Sequence, residues 1–134
     1  MREDVIKVLE KKVLPRLRKS EKNLKNYRHI LSPYKALEHY LSNAVHYIEE
    51  LLEAEKEEID ELECNILLDN AIKEIDCLTR VAFKVTGDVT LRDLGAILDD
   101  ILLPIYEASK NLDRIRFVLM VNECFGEKRR QGDD

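Results

Sequence analysis

Tryptophan is absent from this 134-residue sequence, and glycine (four), proline (three), cysteine (three) and glutamine (Gln131 alone) are scarce. So few chain-breaking residues leave little turn chemistry and much helix surface. Long apolar runs are missing as well. The longest one uninterrupted by proline is Phe117 to Val121, five residues, whereas a membrane-spanning helix needs about 18 or more. The expected class is therefore a soluble protein without membrane contact. The start, Met1-Arg2-Glu3-Asp4, is charged and leads into an amphipathic stretch, unlike a secretory signal. A cytoplasmic location is the expectation.

An odd cysteine count without a CxxC pair argues against a disulfide framework or a zinc site. Cys77 reads as a small buried hydrophobe. Cys64 and Cys124 fall at one end of the expected fold, where a bridge is geometrically conceivable and two free thiols are the simpler expectation. None of the four glycines, Gly87, Gly95, Gly126 and Gly132, sits in a phosphate-cradling loop, and four serines with three histidines offer no nucleophile arrangement. No catalytic, cofactor or metal site is predicted. Scarce glutamine beside abundant Glu, Lys, Leu and Ile points to a thermophilic source, and seven asparagines point the other way.

What is present is helical periodicity. Apolar residues at Ile6, Leu9, Val13, Leu17, Leu24, Tyr27 and Leu31, with Ser20 filling one gap, mark a helix over about 3–31. Pro15 lies inside it and predicts a kink. Ser32 as N-cap and Pro33 as first helical residue open a second helix over about 33–63, with Tyr34, Leu37, Leu41, Ala44, Ile48 and Leu51 as its stripe. Ile59 and Leu62 continue that stripe weakly, and the acidic run Glu53 to Glu58 precedes a turn expected near Glu63 to Asn65. A third helix follows over about 66–86 through Leu68, Ile72, Ile75, Cys77 or Leu78, and Ala82.

Thr90 with Asp93 resembles a capping box and opens a fourth helix over about 91–125. Its stripe, Leu94, Leu98, Ile101, Ile105, Ala108, Leu112, Ile115, Leu119 and Asn122, alternates steps of four and three and passes through Pro104. These elements predict an all-α fold: one antiparallel, up-down-up-down four-helix bundle over 1–126, kinked at two prolines, with a flexible tail over 127–134. The first and last helices share a loose pattern. Val13-Leu14-Pro15 with Lys22-Asn23-Leu24 and Arg28 matches Leu102-Leu103-Pro104 with Lys110-Asn111-Leu112 and Arg116, given one inserted residue.

Charge is distributed unevenly. The first 35 residues carry eleven Lys and Arg against four acids, while residues 36–63 carry ten acids against Lys56 alone. Lys7, Lys11, Arg18, Lys22 and Lys25 follow helical spacing on one flank, as a phosphate-tracking surface would. The competing expectation is a charge-paired first hairpin, with Lys7, Lys11, Lys12 and Arg16 level with Glu58, Glu55, Glu53 and Glu49. His39 and His46 share an outward position.

Glu49-Glu50-Leu51-Leu52-Glu53 forms an EExxE pattern that resembles the magnesium site of all-helical nucleotide pyrophosphohydrolases. The ExxD that this family carries on its next helix is missing from 65–87, where Asp69, Glu74 and Asp76 are approximate substitutes. The leading expectation is a non-enzymatic protein-interaction module or small subunit, with a protein partner or a second copy bound through the wide stripe of the second helix or through Phe117, Val118, Met120 and Val121 of the fourth. A nucleic-acid backbone binder using the first helix stands second. The magnesium-dependent hydrolase stands third.

Overall fold

The computed structural model describes residues 2–31, 33–85 and 89–132, with Val85 and residues 122–132 described as backbone only. The chain is all-α, with about 90% of it helical in four helices. α1 covers residues 2–27 in four consecutive segments: Arg2–Val8, a π-turn at Leu9–Val13, Leu14–Leu24, and a 3₁₀ turn at Lys25–Tyr27. α2 is Tyr34–Lys56 and α3 is Glu61–Val85. α4 covers residues 91–132 as Leu91–Ile97, a π-turn at Leu98–Leu102, and Leu103–Gly132. α1 stops short of the predicted residue 31, and α4 continues past the stop expected near Gly126.

Each π-turn ends two residues before a proline. The Leu14 N–H bonds to the Leu9 carbonyl, and the Leu103 N–H bonds to the Leu98 carbonyl. These five-residue bonds wrap one extra residue into each helix. The apolar stripes follow that geometry. Val5, Leu9, Val13 and Leu17 are buried at three successive steps of four, and Ile97, Ile101 and Ile105 repeat the step. A plain α-helix would rotate such a stripe off the core within a few turns, and the π-turn brings it back. Consequently Val5 takes the core position predicted for Ile6, and Ile97 takes the one predicted for Leu98, which is exposed.

Helix α2 buries Tyr34, Leu37, Leu41, Ala44, Val45, Ile48, Leu51 and Ala54, close to its predicted stripe. Ser32, the predicted N-cap, lies outside the described residues. The second-to-third turn falls at 57–60, before the predicted place. There the Ile59 N–H reaches the Ala54 carbonyl at 3.0 Å, and the Glu58 N–H reaches the Glu55 carbonyl at 3.3 Å, with Glu58 at φ 56°. This is the paired-bond helix ending that glycine ordinarily supplies, made here with a glutamate in the left-handed position. Asp60 then caps α3 by accepting the Leu62 N–H at 3.3 Å. Leu62, read as the end of the α2 stripe, belongs to α3 and is exposed.

On α3 the core residues are Cys64, Leu68, Ala71, Ile75, Leu78 and Ala82, so Leu78 and not Cys77 faces inward. At α4 the Thr90 hydroxyl accepts the Asp93 N–H at 3.3 Å, as the sequence predicted. Each helix touches its neighbour in the chain, and α4 also touches α1. Leu24, Leu41, Leu78 and Ile101, one from each helix, line an apolar cavity of about 10 Å³. A void of that size and polarity stays dry.

Candidate interaction surface

Among the described residues, the seam between α3 and α4 is the least extensively packed of those joining neighbouring helices, while α2 and α3 are the most tightly joined. A groove of about 220 Å³ runs along that seam, walled by Leu68, Leu119 and Met120 with Asn65, Asp69 and Arg116. Arg116 Nε stands 3.7 Å from Asp69 across it. Large apolar side chains flank the groove on both helices. Leu62 and Ile66 on α3 are 66% and 52% exposed, and Phe117 and Met120 on α4 are 65% and 58% exposed. Val118 is also exposed and Val121 is half-buried, whereas Leu119 packs on the core. Of the four residues predicted as a partner surface, only Met120 lines the groove, and Val118 falls about 160° around the helix from it at 100° per residue. Leu62 and Ile66 went unrecognised, since the predicted turn at 63–65 hid the first turn of α3.

The origin of this exposure is the surplus of apolar width on α4. Ile105, Ala108, Leu112 and Ile115 face the core, and the opposite side carries Leu98, Leu103, Tyr106 and Phe117. One face suffices to attach the helix, so the second is left to solvent. Lys110 Nζ lies 5.2 Å from the centre of the Tyr106 ring and partly covers it.

The basic helix departs from the predicted pairing. Arg18 bonds Glu49 at 3.1 Å, Arg16 turns instead to Glu107 of α4 at 2.8 Å, and the shortest ion pair between the first two helices among the described residues is Glu10 to Lys56 at 2.6 Å. Lys7, Lys11, Lys12, Lys19, Lys22 and Lys25 make no ion pair among the described residues and are exposed. The π-turn also divides the predicted basic stripe. One wrapped residue rotates everything after it by about 100° relative to a plain helix, which turns Arg18 and Lys25 toward α2. There Lys25 lines a cleft with Glu21 and Glu38.

Polar groups cluster at two further places. At the α2–α3 turn, the buried Glu55 carboxylate accepts Arg2 Nε at 2.8 Å, while Arg2 Nη2 donates to the Ile59 carbonyl. Cys64 lies beside them as a buried free thiol, its Sγ 4.0 Å from Arg2. Burial and then the Glu55 charge raise its pKa, with Arg2 opposing. The side chain of Cys124, its conceivable bridging partner, lies outside the described residues. At the second π-turn, the fully buried Ser20 hydroxyl donates to the Ile101 carbonyl at 2.7 Å, and Asn23 donates to the Asp100 carbonyl at 2.9 Å. Tyr27 adds a hydroxyl bond to the Asp100 carboxylate at 2.8 Å. Burial and then that bond raise the Tyr27 pKa.

Two of the three EExxE carboxylates are engaged separately, Glu49 by Arg18 and Glu50 by His46 at 2.7 Å, and Glu53 is exposed. His39 is exposed and contacts Asn43 at 3.2 Å. Among the described residues no group of three or more His, Cys, Asp or Glu is placed to hold a metal ion, and no helix is long and apolar enough to cross a membrane. Comparison with known proteins finds no match: no family profile, no curated protein and no solved structure matches this chain.

Proposed function

We propose that this chain is a non-enzymatic helical interaction module that pairs with a second copy of itself through the α3–α4 face. The observation that carries the reading is a patch of large apolar side chains, Leu62, Ile66, Phe117 and Met120, astride the seam that is least packed among the described residues. Soluble monomers seldom leave such a patch beside a groove uncovered. A second copy is the fitting occupant because an isologous contact opposes each patch to itself. The seam also carries both signs of charge, Asp69 and Arg116, in the same groove, so a two-fold contact can set each against its opposite. Standard interfaces engage about 20 to 30 residues a side, so these four form the centre of the contact and Val121 and Tyr106 its margin.

The reading includes an up-down-up-down, antiparallel arrangement of the four helices. Its support lies in the cross-helix pairs. Glu10 meets Lys56 and Arg18 meets Glu49, so partner numbers fall along α2 as they rise along α1. Arg16 with Glu107 and Asn23 with Asp100 repeat the relation between α1 and α4. The Arg16 pairing sets Pro15 and Pro104 within about 6 Å in height at 1.5 Å per residue, which supports a bend shared by both helices.

Sedimentation velocity over a concentration series tests the reading. A dimer is expected in the micromolar range, weakened at least tenfold by Met120→Lys or Phe117→Glu with helical circular dichroism unchanged. A strict monomer at the highest concentrations, or a dimer indifferent to both substitutions, refutes it.

A further inference from the structure

The outward face of α1 is the second unclaimed surface, and the π-turn decides its composition. With Val5, Leu9, Val13, Leu17 and Leu24 facing the core, the positions opposite are Lys7, Lys11, Pro15, Lys19, Lys22 and Asn26, all exposed. Two of the four acids of this helix lie elsewhere: Glu10 is held by Lys56 of α2, and Glu21 lines the α1–α2 cleft. Glu3 and Asp4 are exposed in the first turn beside Lys7, so the ladder is free of acids only from Lys11 onward. None of the four lysines has an ion-pair partner among the described residues.

We propose that Lys7, Lys11, Lys19 and Lys22 form a ladder that binds the phosphate backbone of double-stranded nucleic acid without reading its sequence. From Lys7 to Lys22 the ladder extends about 22 Å at 1.5 Å per residue. Over that length one strand of B-DNA presents about six phosphates, so four ammonium groups on flexible stems can each meet one. The face itself selects among anionic partners. A membrane surface requires apolar side chains beside the lysines to enter the lipid, and here only Pro15 interrupts them. Single strands are held by stacking on aromatic rings, and the first aromatic residue of the chain is Tyr27, beyond the ladder. A duplex needs neither. The cost is the acidic α2 next door and a net charge of −5, which confine binding to low salt.

Fluorescence anisotropy of the full chain with a labelled 20-base-pair duplex, starting at about 50 mM salt, tests the ladder. Affinity should fall with salt at a log–log slope of about −3.6 for four phosphate contacts. Lys11→Glu with Lys19→Glu and Lys22→Glu should weaken binding at least 100-fold. These side chains are solvent-exposed, so circular dichroism should be unchanged. Lys19→Glu should weaken binding more than Lys25→Glu, because only the π-turn puts position 19 on the outer face. No anisotropy change at about 50 mM salt, a triple variant that binds as well as the parent, or equal effects at positions 19 and 25 would overturn the proposal. Binding to vesicles of about 30% anionic lipid as tight as to the duplex would overturn it too. Phe117→Glu should leave duplex binding intact, which separates this ladder from the α3–α4 face.

Discussion

The clasp on the second π-turn can be tested by removing its donors one at a time. Proline at 104 has no N–H, so the Asp100 carbonyl four residues earlier loses its helical donor. Asn23 of α1 supplies one at 2.9 Å, and Ser20 donates to the neighbouring Ile101 carbonyl at 2.7 Å in a fully buried position. Ser20→Ala removes a neutral hydrogen bond, worth about 1 kcal/mol, and strips a buried carbonyl of that donor, so the total loss should be about 1.5–2 kcal/mol. Asn23→Ala acts where water can substitute and should cost about 0.5–1 kcal/mol. Proline inside a helix ordinarily costs about 3 kcal/mol. Because the π-turn and the clasp already accommodate it, Pro104→Ala should gain well under that. The returned N–H should also make Asn23 dispensable, so Asn23→Ala should cost close to nothing when combined with Pro104→Ala. Urea unfolding followed by circular dichroism measures each step, provided the slope with denaturant stays constant. Ser42→Ala, on the exposed side of α2, serves as a control expected within about 0.5 kcal/mol of the parent. A Ser20→Ala variant as stable as that control, or an Asn23→Ala cost identical with and without Pro104→Ala, would refute the argument.

Two further outcomes follow from the α2–α3 turn. Glu58 occupies a left-handed conformation at φ 56° that strains any residue with a Cβ, so Glu58→Gly should raise stability by about 0.5–1 kcal/mol; a lower melting temperature would contradict the turn geometry. Cys64 is buried and its thiol pKa is raised by burial first and by Glu55 next, so peptide mapping after alkylation at about pH 8 should show it reacting at least tenfold slower than the half-buried Cys77. The folded chain therefore holds the Cys64 proton more tightly than the unfolded chain. That contribution is fully present below the ordinary thiol pKa and is lost as pH rises through the higher folded value, so stability should decline above about pH 9. Cys64→Ala should flatten the decline, and equal alkylation of the two thiols would count against the assignment.

Local pattern alone determined the four helices, the fourth cap at Thr90 and the surplus apolar width of Phe117 to Val121, because periodicity and capping depend on residues within a turn or two of each other. The α2–α3 turn was legible in part. Asp60 with Glu63 has the spacing of a helix start, but the glutamates before it resemble continuing helix and no glycine marks Glu58. What only the tertiary structure decided was phase. Whether a stripe before a proline takes steps of three and four or repeated steps of four depends on a wrapped residue. At α4, that wrap is held by Ser20 and Asn23, some 80 residues away along the chain. The wrap in α4 chose Ile97 over Leu98 for the core, and the one in α1 chose Val5 over Ile6 for the core and Lys19 over Arg18 and Lys25 for the outer face.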